Sequence, residues 1–330
     1  MVRDRLGREL RELRVSVTDR CNFRCFFCMP PDREIPFLSR EDLLSYEEIR
    51  DLVKILRNAG VRKVRITGGE PLMRLHLENL IAQLSPLVED LALTTNGYLL
   101  PEKAEHLRRA GLGRITISLT TLKAERLRAI AGRDVSLGTV IAGIEAAHEA
   151  GFSPVKINTV VVRGVNDDEI LNIAEFCRER NLVLRFIEYM DAGTLNNWSM
   201  EKVVSAEEIL STLRRRYDLE ELGRTSGSET ALRFRYRDTG QEVGVIASVT
   251  KPFCRGCSRL RLSADGKLFP CLFSDRGIDV RSLLRGNMDG KDILRIIEGF
   301  WKQREDRYSE LRRDLMGVRG SRVEMFRVGG

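Results

Sequence analysis

The sequence predicts an α/β protein: a partial, six-stranded (β/α)6 TIM-like barrel followed by a smaller C-terminal domain. Three observations carry this. Short strands rich in Val, Ile and Leu alternate with helical stretches between residues 13 and 218, the pattern of a parallel sheet covered by helices. The alternation then stops, short of the ~250 residues of a full eight-unit barrel. The polar, glycine-containing stretch "LGRTSGSET" (222–230) comes next, dividing the chain into 1–222 and 223–330. Periodicity cannot show closure, so a doubly wound open sheet remains the alternative.

The expected strands, in order, are "LRVSVT" (13–18), "KVRIT" (63–67), "LALTT" (91–95), "RITISL" (114–119), "PVKINTVVV" (154–162) and "LVLRFIEYM" (182–190). The clearest helix starts after Ser45, where Glu48 completes a capping box. Ile49, Leu52, Val53 and Leu56 then form an apolar stripe, and Gly60 ends it. A second helix begins after Asn166, with Ile170, Ile173, Ala174 and Cys177 on one face. Beyond residue 222 the sequence predicts a hairpin in "LRFRYRDTGQEVGVIASV", another around "SADGK", and helix within 289–302.

The chain of 330 residues is 42% hydrophobic and 31% charged, an ordinary globular balance. No apolar run reaches the ~18 residues that span a bilayer. The opening "MVRDRLGRELRELR" is charged throughout and lacks a signal peptide's apolar centre, so a cytoplasmic protein is expected. Seven cysteines there argue against a disulfide framework, and their clustering points to metal or redox chemistry. The three histidines (His76, His106, His148) lie apart from the cysteine clusters. A net charge of +7 suits an anionic partner, either nucleic acid or a phosphorylated small molecule.

Cys21, Cys25 and Cys28 come directly after the first strand, at the carboxyl edge where parallel sheets bind ligands. Structural zinc takes four ligands, and iron–sulfur clusters normally take four thiolates. Three thiolates on a four-iron cluster leave one iron open. A zinc knuckle or incidental thiols are the plainer readings. The segment "ITGGEPLM" (66–73) lacks the Gly-Lys-Ser/Thr of a phosphate loop; its glycines permit close backbone approach to a ligand, or merely a tight turn.

With "GGEP" after the second strand, "CNFRCFFC" resembles the cluster motif of radical S-adenosylmethionine enzymes. The resemblance implies a [4Fe-4S] cluster whose open iron chelates S-adenosylmethionine and cleaves it reductively to a 5′-deoxyadenosyl radical. It also implies cofactor contacts at Phe27, Gly69, Ser118 and Met190, with "GGEP" at the methionine end and Met190 near the adenine.

Cys254, Cys257 and Cys271 form a second triad, again without a fourth thiolate. Cys177 lies on the apolar stripe of its helix and reads as a small core hydrophobe. Spacing alone leaves open a zinc ion with one unseen ligand. The two triads, with "LTTNG", "GVNDDEI", "RFIEYM", "CRGCSRLRLSADGKLFPCLF" and the terminal Gly329-Gly330, resemble the GTP 3′,8-cyclase family over essentially the whole chain. That family opens molybdenum cofactor biosynthesis.

The resemblance implies a second [4Fe-4S] cluster that binds guanine, making the C-terminal region an iron–sulfur domain. It implies GTP contacts at Arg14, Arg65, Thr94, Lys156, Arg259, Leu260 and Arg261, with Arg14, Arg259 and Arg261 guiding the closing electron and proton. A lone strand arginine also reads as half of a surface ion pair. The terminal tail is expected near the site. Further expectations are a flavodoxin- or ferredoxin-like one-electron donor, a homodimer, delivery of the product to a next enzyme, and neither membrane nor nucleic-acid partners. Two departures stand out: Phe27 where the family commonly has tyrosine, and Thr120 where it commonly has aspartate. The rival readings are a peptide-maturing radical enzyme and a metal-stabilised nucleic-acid binder.

Overall fold

The computed structural model describes residues 1–224, 227–315 and 322–329. Residues 225 and 226 of the expected boundary stretch, and Gly330, lie outside the described residues.

Six strands fall where the sequence places them: β1 (Glu12–Ser16), β2 (Lys63–Thr67), β3 (Asp90–Thr95), β4 (Arg114–Ser118), β5 (Lys156–Val161) and β6 (Val183–Glu188). All are parallel and pair in sequence order. The helices between them are α1 (Tyr46–Ala59), α2 (Leu77–Leu84), α3 (Leu100–Arg109), α4 (Ala124–Ala131), α5 (Leu137–Glu149) and α6 (Ile170–Glu179). A seventh, α7 (Ala206–Arg214), comes after β6.

Helix α1 begins with the expected reciprocal cap. Glu48 N donates to Ser45 Oγ at 3.1 Å, and Ser45 N donates to the Glu48 carboxylate at 2.7 Å. It ends at Gly60, whose φ of 114° places it in the left-handed region. Helix α6 starts four residues after Asn166, because one 3₁₀ turn intervenes. Cys177 on α6 is buried in the apolar core, as its stripe predicted.

After α7 come β7 (Leu219–Gly223), β8 (Leu232–Tyr236), β9 (Glu242–Ile246), β10 (Arg259–Leu262), β11 (Lys267–Phe269) and β12 (Ile278–Asp279). Both expected hairpins form, β8 with β9 and β10 with β11. One strand of each joins the barrel: β9 runs parallel to β6, and β10 runs parallel to β1. The sheet therefore continues across residue 222, in the order β12-β11-β10-β1-β2-β3-β4-β5-β6-β9-β8-β7. Helices α8 (Val280–Arg285), α9 (Gly290–Lys302), α10 (Tyr308–Leu315) and α11 (Met325–Val328) complete the fold.

One apolar core lies between the sheet's outer face and the helices, joining Leu13 and Val15 of β1 to Leu52 and Leu56 of α1. Alternation turns every second strand residue the other way, and that inner face carries the polar residues. Among the described residues no helix is long and apolar enough to cross a membrane.

Candidate active site

Glu12 and Arg14, Lys63 and Arg65, Asp90 and Thr94, Lys156 and Asn158 all share this inner face and line one cavity of ≈ 510 Å³. Arg14 and Arg65 each lie at the middle residue of their strand. Arg14 stands opposite both Arg65 and Arg261, Thr116 opposite Lys156, and Asn158 opposite Arg185. Register thus brings cations from β1, β2, β4, β5, β6 and β10 to one chamber. Leu260 is different. Its side chain, one step out of phase with Arg259 and Arg261, is fully buried in the apolar core, leaving only its main chain for a ligand.

These charges are partly compensated. Arg14 Nε donates to Glu12 at 3.2 Å. Burial would raise the Glu12 pKa, but Arg14, Arg259 and Arg65 outweigh it and hold the carboxyl at about 2. Arg65 Nη1 donates to Thr94 Oγ1 at 3.1 Å and Thr116 Oγ1 at 3.4 Å. Burial first, then repulsion from Arg14, pulls Arg65 down to about 9; burial with Arg14 and Arg259 does the same to Arg261. Lys156 is lowered to about 8 by burial and then by Arg185, Arg114 and Arg65. This crowding is what an anionic ligand would relieve.

The second triad forms part of the cavity wall. Cys254 and Cys257 sit on a tight turn closed by Cys257 N donating to Cys254 O at 3.1 Å. Burial opposes ionisation of Cys257, yet Arg259 and Arg304 bring its pKa down to about 6. Arg259 donates to Cys257 Sγ from Nε at 3.3 Å and Nη2 at 3.2 Å. Burial raises Cys271 to about 11 and shifts Cys254 upward.

The first triad occupies the loop after β1. Cys28 N and Met29 N both donate to Cys25 O, at 2.9 and 2.7 Å. Burial raises all three thiols, Cys21 to about 12. The "GGEP" loop lies flush against this one: Gly69 N donates to Thr18 O at 2.7 Å, and Glu70 N to Arg20 O at 2.8 Å. A Cβ on Gly69 would overlap the Arg20 carbonyl. Gly69's N–H is therefore committed to the fold, and its carbonyl remains for a ligand. Glu70, raised to about 7 by burial, accepts from Thr95 Oγ1, Asn96 N and Leu72 N.

Ser118 is exposed at the carboxyl end of β4. Asn196 Nδ2 contacts the Phe27 carbonyl at 3.5 Å and the Met190 carbonyl at 3.2 Å, and Met190 also lines the cavity. The tail returns here. Phe326 packs with Cys21 and Cys28, and Arg261 donates to the Gly329 carbonyl.

The chain matches the radical SAM superfamily over residues 15–177 and the family described as Molybdenum Cofactor Synthesis C over 182–310. It is 50% identical to the GTP 3′,8-cyclase of Aquifex aeolicus, covering 100% of both chains. It is also 50% identical to the GTP 3′,8-cyclase of Acidothermus cellulolyticus, over 94% of this chain and 88% of that one. The chain belongs to the GTP 3′,8-cyclase family. Members of this family are radical SAM enzymes of molybdenum cofactor biosynthesis, and this chain is one of them. The structure of Streptococcus suis SuiB bound to S-adenosylmethionine superposes with a TM-score of 0.62 at 17% identity, over 86% of this chain and 66% of that one. That agreement shows the shared barrel fold.

For a GTP 3′,8-cyclase family member, the donor sets suit iron–sulfur clusters. In a four-iron cluster each thiolate binds an iron of its own. Arg304 Nε is a buried donor with no partner beside Cys257, where cluster sulfur would supply an acceptor. Sequence reasoning missed Glu12, Asn158 and Arg304. Strand parity with Arg14 and Lys156 could have found the first two. Arg304 carries no local signal, since it lies just past α9, far along the chain from Cys257.

Proposed function

We propose that this chain converts GTP into (8S)-3′,8-cyclo-7,8-dihydroguanosine 5′-triphosphate, using one four-iron cluster at each triad. The observation that carries this reading is the meeting, in one cavity, of the second triad with cations from six strands. When bound, a cluster held by Cys21, Cys25 and Cys28 would, with S-adenosylmethionine, supply a 5′-deoxyadenosyl radical for hydrogen abstraction at C3′ of GTP ahead of C3′–C8 bond formation, and a cluster held by Cys254, Cys257 and Cys271 would supply iron for the guanine ring.

The chain's own residues bind, orient and exclude water. Arg65, Lys156 and Arg185 suit the triphosphate, whose oxygens match arginine's planar fork. Thr94 and Thr116 fix the plane of Arg65 before any ligand arrives, so little reorganisation is needed. Arg14, Arg259 and Arg261 face the chamber near the second triad, placed to guide the proton that accompanies the closing electron. Leu260 contributes through its main chain. At the barrel mouth Cys21, Cys25 and Cys28 would hold the first cluster. Phe27, Gly69, Ser118 and Met190 would seat S-adenosylmethionine, Gly69 through its carbonyl. The seated tail closes this end and keeps water from a reactive radical. A flavodoxin- or ferredoxin-like electron donor, a homodimer, a cytoplasmic setting and a next enzyme that takes the product belong to the same proposal, supported by the family resemblance.

Anaerobic reconstitution followed by iron and sulfide counting tests it. About eight irons per chain are expected for two four-iron sites, together with cleavage of S-adenosylmethionine that depends on GTP. Zinc at the second triad, or cleavage indifferent to GTP, would overturn the assignment.

A further inference from the structure

Asp4, Arg8 and Arg304 form a buried ion network beneath the second triad. Their side chains are 0%, 1% and 1% exposed. Asp4 Oδ2 accepts from Arg8 Nε at 2.6 Å and from Arg304 Nη1 at 3.2 Å. Its other oxygen accepts from the main chain of Leu6 and Arg8, at 3.0 and 2.8 Å. The arginine donors then converge on the cysteine turn. Arg8 Nη1 reaches Cys254 O at 3.0 Å and Asp306 O at 2.7 Å. Arg304 Nη1 reaches Cys257 O at 2.7 Å, and its Nη2 reaches Cys257 Sγ at 3.2 Å. The indole of Trp301 stacks under Arg304 at 4.4 Å and donates to Arg8 O at 3.1 Å.

Two buried guanidiniums share one carboxylate, so a positive charge is left over, and it faces sulfur. Burying such a network is costly unless every charge has a partner. Mere docking of the N-terminal arm needs only the main-chain contacts. It accounts neither for the contact to Sγ nor for the unpartnered donors Arg304 Nε and Arg8 Nη2. Donors aimed at a cluster's thiolate and sulfides stabilise its reduced, more negative state and raise its reduction potential.

We infer that Arg304, oriented by Asp4 and Arg8, is a positioning residue of the second cluster, fixing Cys257 as a ligand and raising that cluster's reduction potential. The inference rests on the two-cluster reading above. Arg304 thereby links the first eight residues of the chain to the redox centre of its last third.

The test uses full-length protein with Cys21, Cys25 and Cys28 replaced by alanine, so that only the second cluster titrates. Iron and sulfide per chain and the midpoint potential, followed by electron paramagnetic resonance, are compared for Arg304, Arg304→Lys, Arg304→Gln and Asp4→Asn. Arg304→Gln should shift the reduced-to-oxidised ratio ~10-fold toward oxidised, a fall of about 59 mV for a one-electron couple, and should retain less iron. Arg304→Lys should restore the iron and part of the shift, and Asp4→Asn should shift the same way by less. A purely structural role would lower the melting temperature and leave the midpoint unmoved. If Arg304→Gln does not fold, the other two variants decide. Full iron and an unchanged midpoint in every folded variant would overturn the inference alone. A parent that binds no four-iron cluster would overturn the two-cluster reading, and this inference with it.

Discussion

Lys156 shows at the residue scale how the cavity's charge is set. Burial, then Arg185, Arg114 and Arg65, bring its pKa from 10.5 to about 8. Between those values this site holds fewer protons in the folded chain than in the unfolded one, so its own contribution to stability rises with pH across that window. Below pH 8 the burden of this half-buried cation is present in full. A bound triphosphate reverses the sign, because it favours the charged ammonium. GTP binding should therefore take up protons above pH 8, and affinity should fall as pH rises through that value. Calorimetry in two buffers of different ionisation heat measures the uptake directly. Lys156→Met should lose most of it and bind GTP several-fold more weakly at pH 7. Equal uptake in both proteins would remove Lys156 from the phosphate site.

At the scale of one element, helix α11 seats beside the first-triad loop, and its fit depends on Gly329 just beyond it. Phe326 and Val328 are buried. Glu324 accepts from Thr194 N at 2.9 Å and Thr194 Oγ1 at 2.6 Å, and Arg327 donates to Pro36 O at 3.2 Å. Gly329 then adopts φ 70°, and a Cβ there would overlap the Thr67 side chain at the end of β2. Both facts demand glycine. Gly329→Ala should keep the tail's end from seating against Arg261 while leaving the barrel core untouched. The expected result is at least a ~10-fold loss of cyclised product per S-adenosylmethionine cleaved, since water reaches the radical. Iron content should hold, and the melting temperature should move by no more than a few degrees. Coupling equal to that of the unaltered protein would show that the seated tail does not close the site.

For the whole molecule, what the sequence revealed was local and what it hid was distant. The Ser45–Glu48 cap, the stripe of α1 and both triads are read within a few residues, because capping, helical periodicity and ligand spacing are short-range. Strand parity similarly gathers Arg14, Arg65 and Lys156 on one face. Nothing local announces that Leu13 pairs with Leu260 or Leu184 with Val243, so the two strands that flank the six-stranded barrel stayed hidden in what read as a separate region. The Arg304–Cys257 contact is hidden for the same reason. These added strands have a mechanical consequence. Val245, Leu260 and Leu262 are fully buried, and so are Ile297 and Trp301 of α9. A chain ending at residue 222 would strip the edges of β1 and β6 of their partners and expose that apolar face, which invites edge-to-edge association. Such a fragment should be insoluble, or expanded with weak near-ultraviolet circular dichroism, whereas the full chain should lose both regions' structure in one transition. A soluble, monomeric 1–222 fragment with a near-ultraviolet spectrum of native strength would show that the barrel stands without its C-terminal strands.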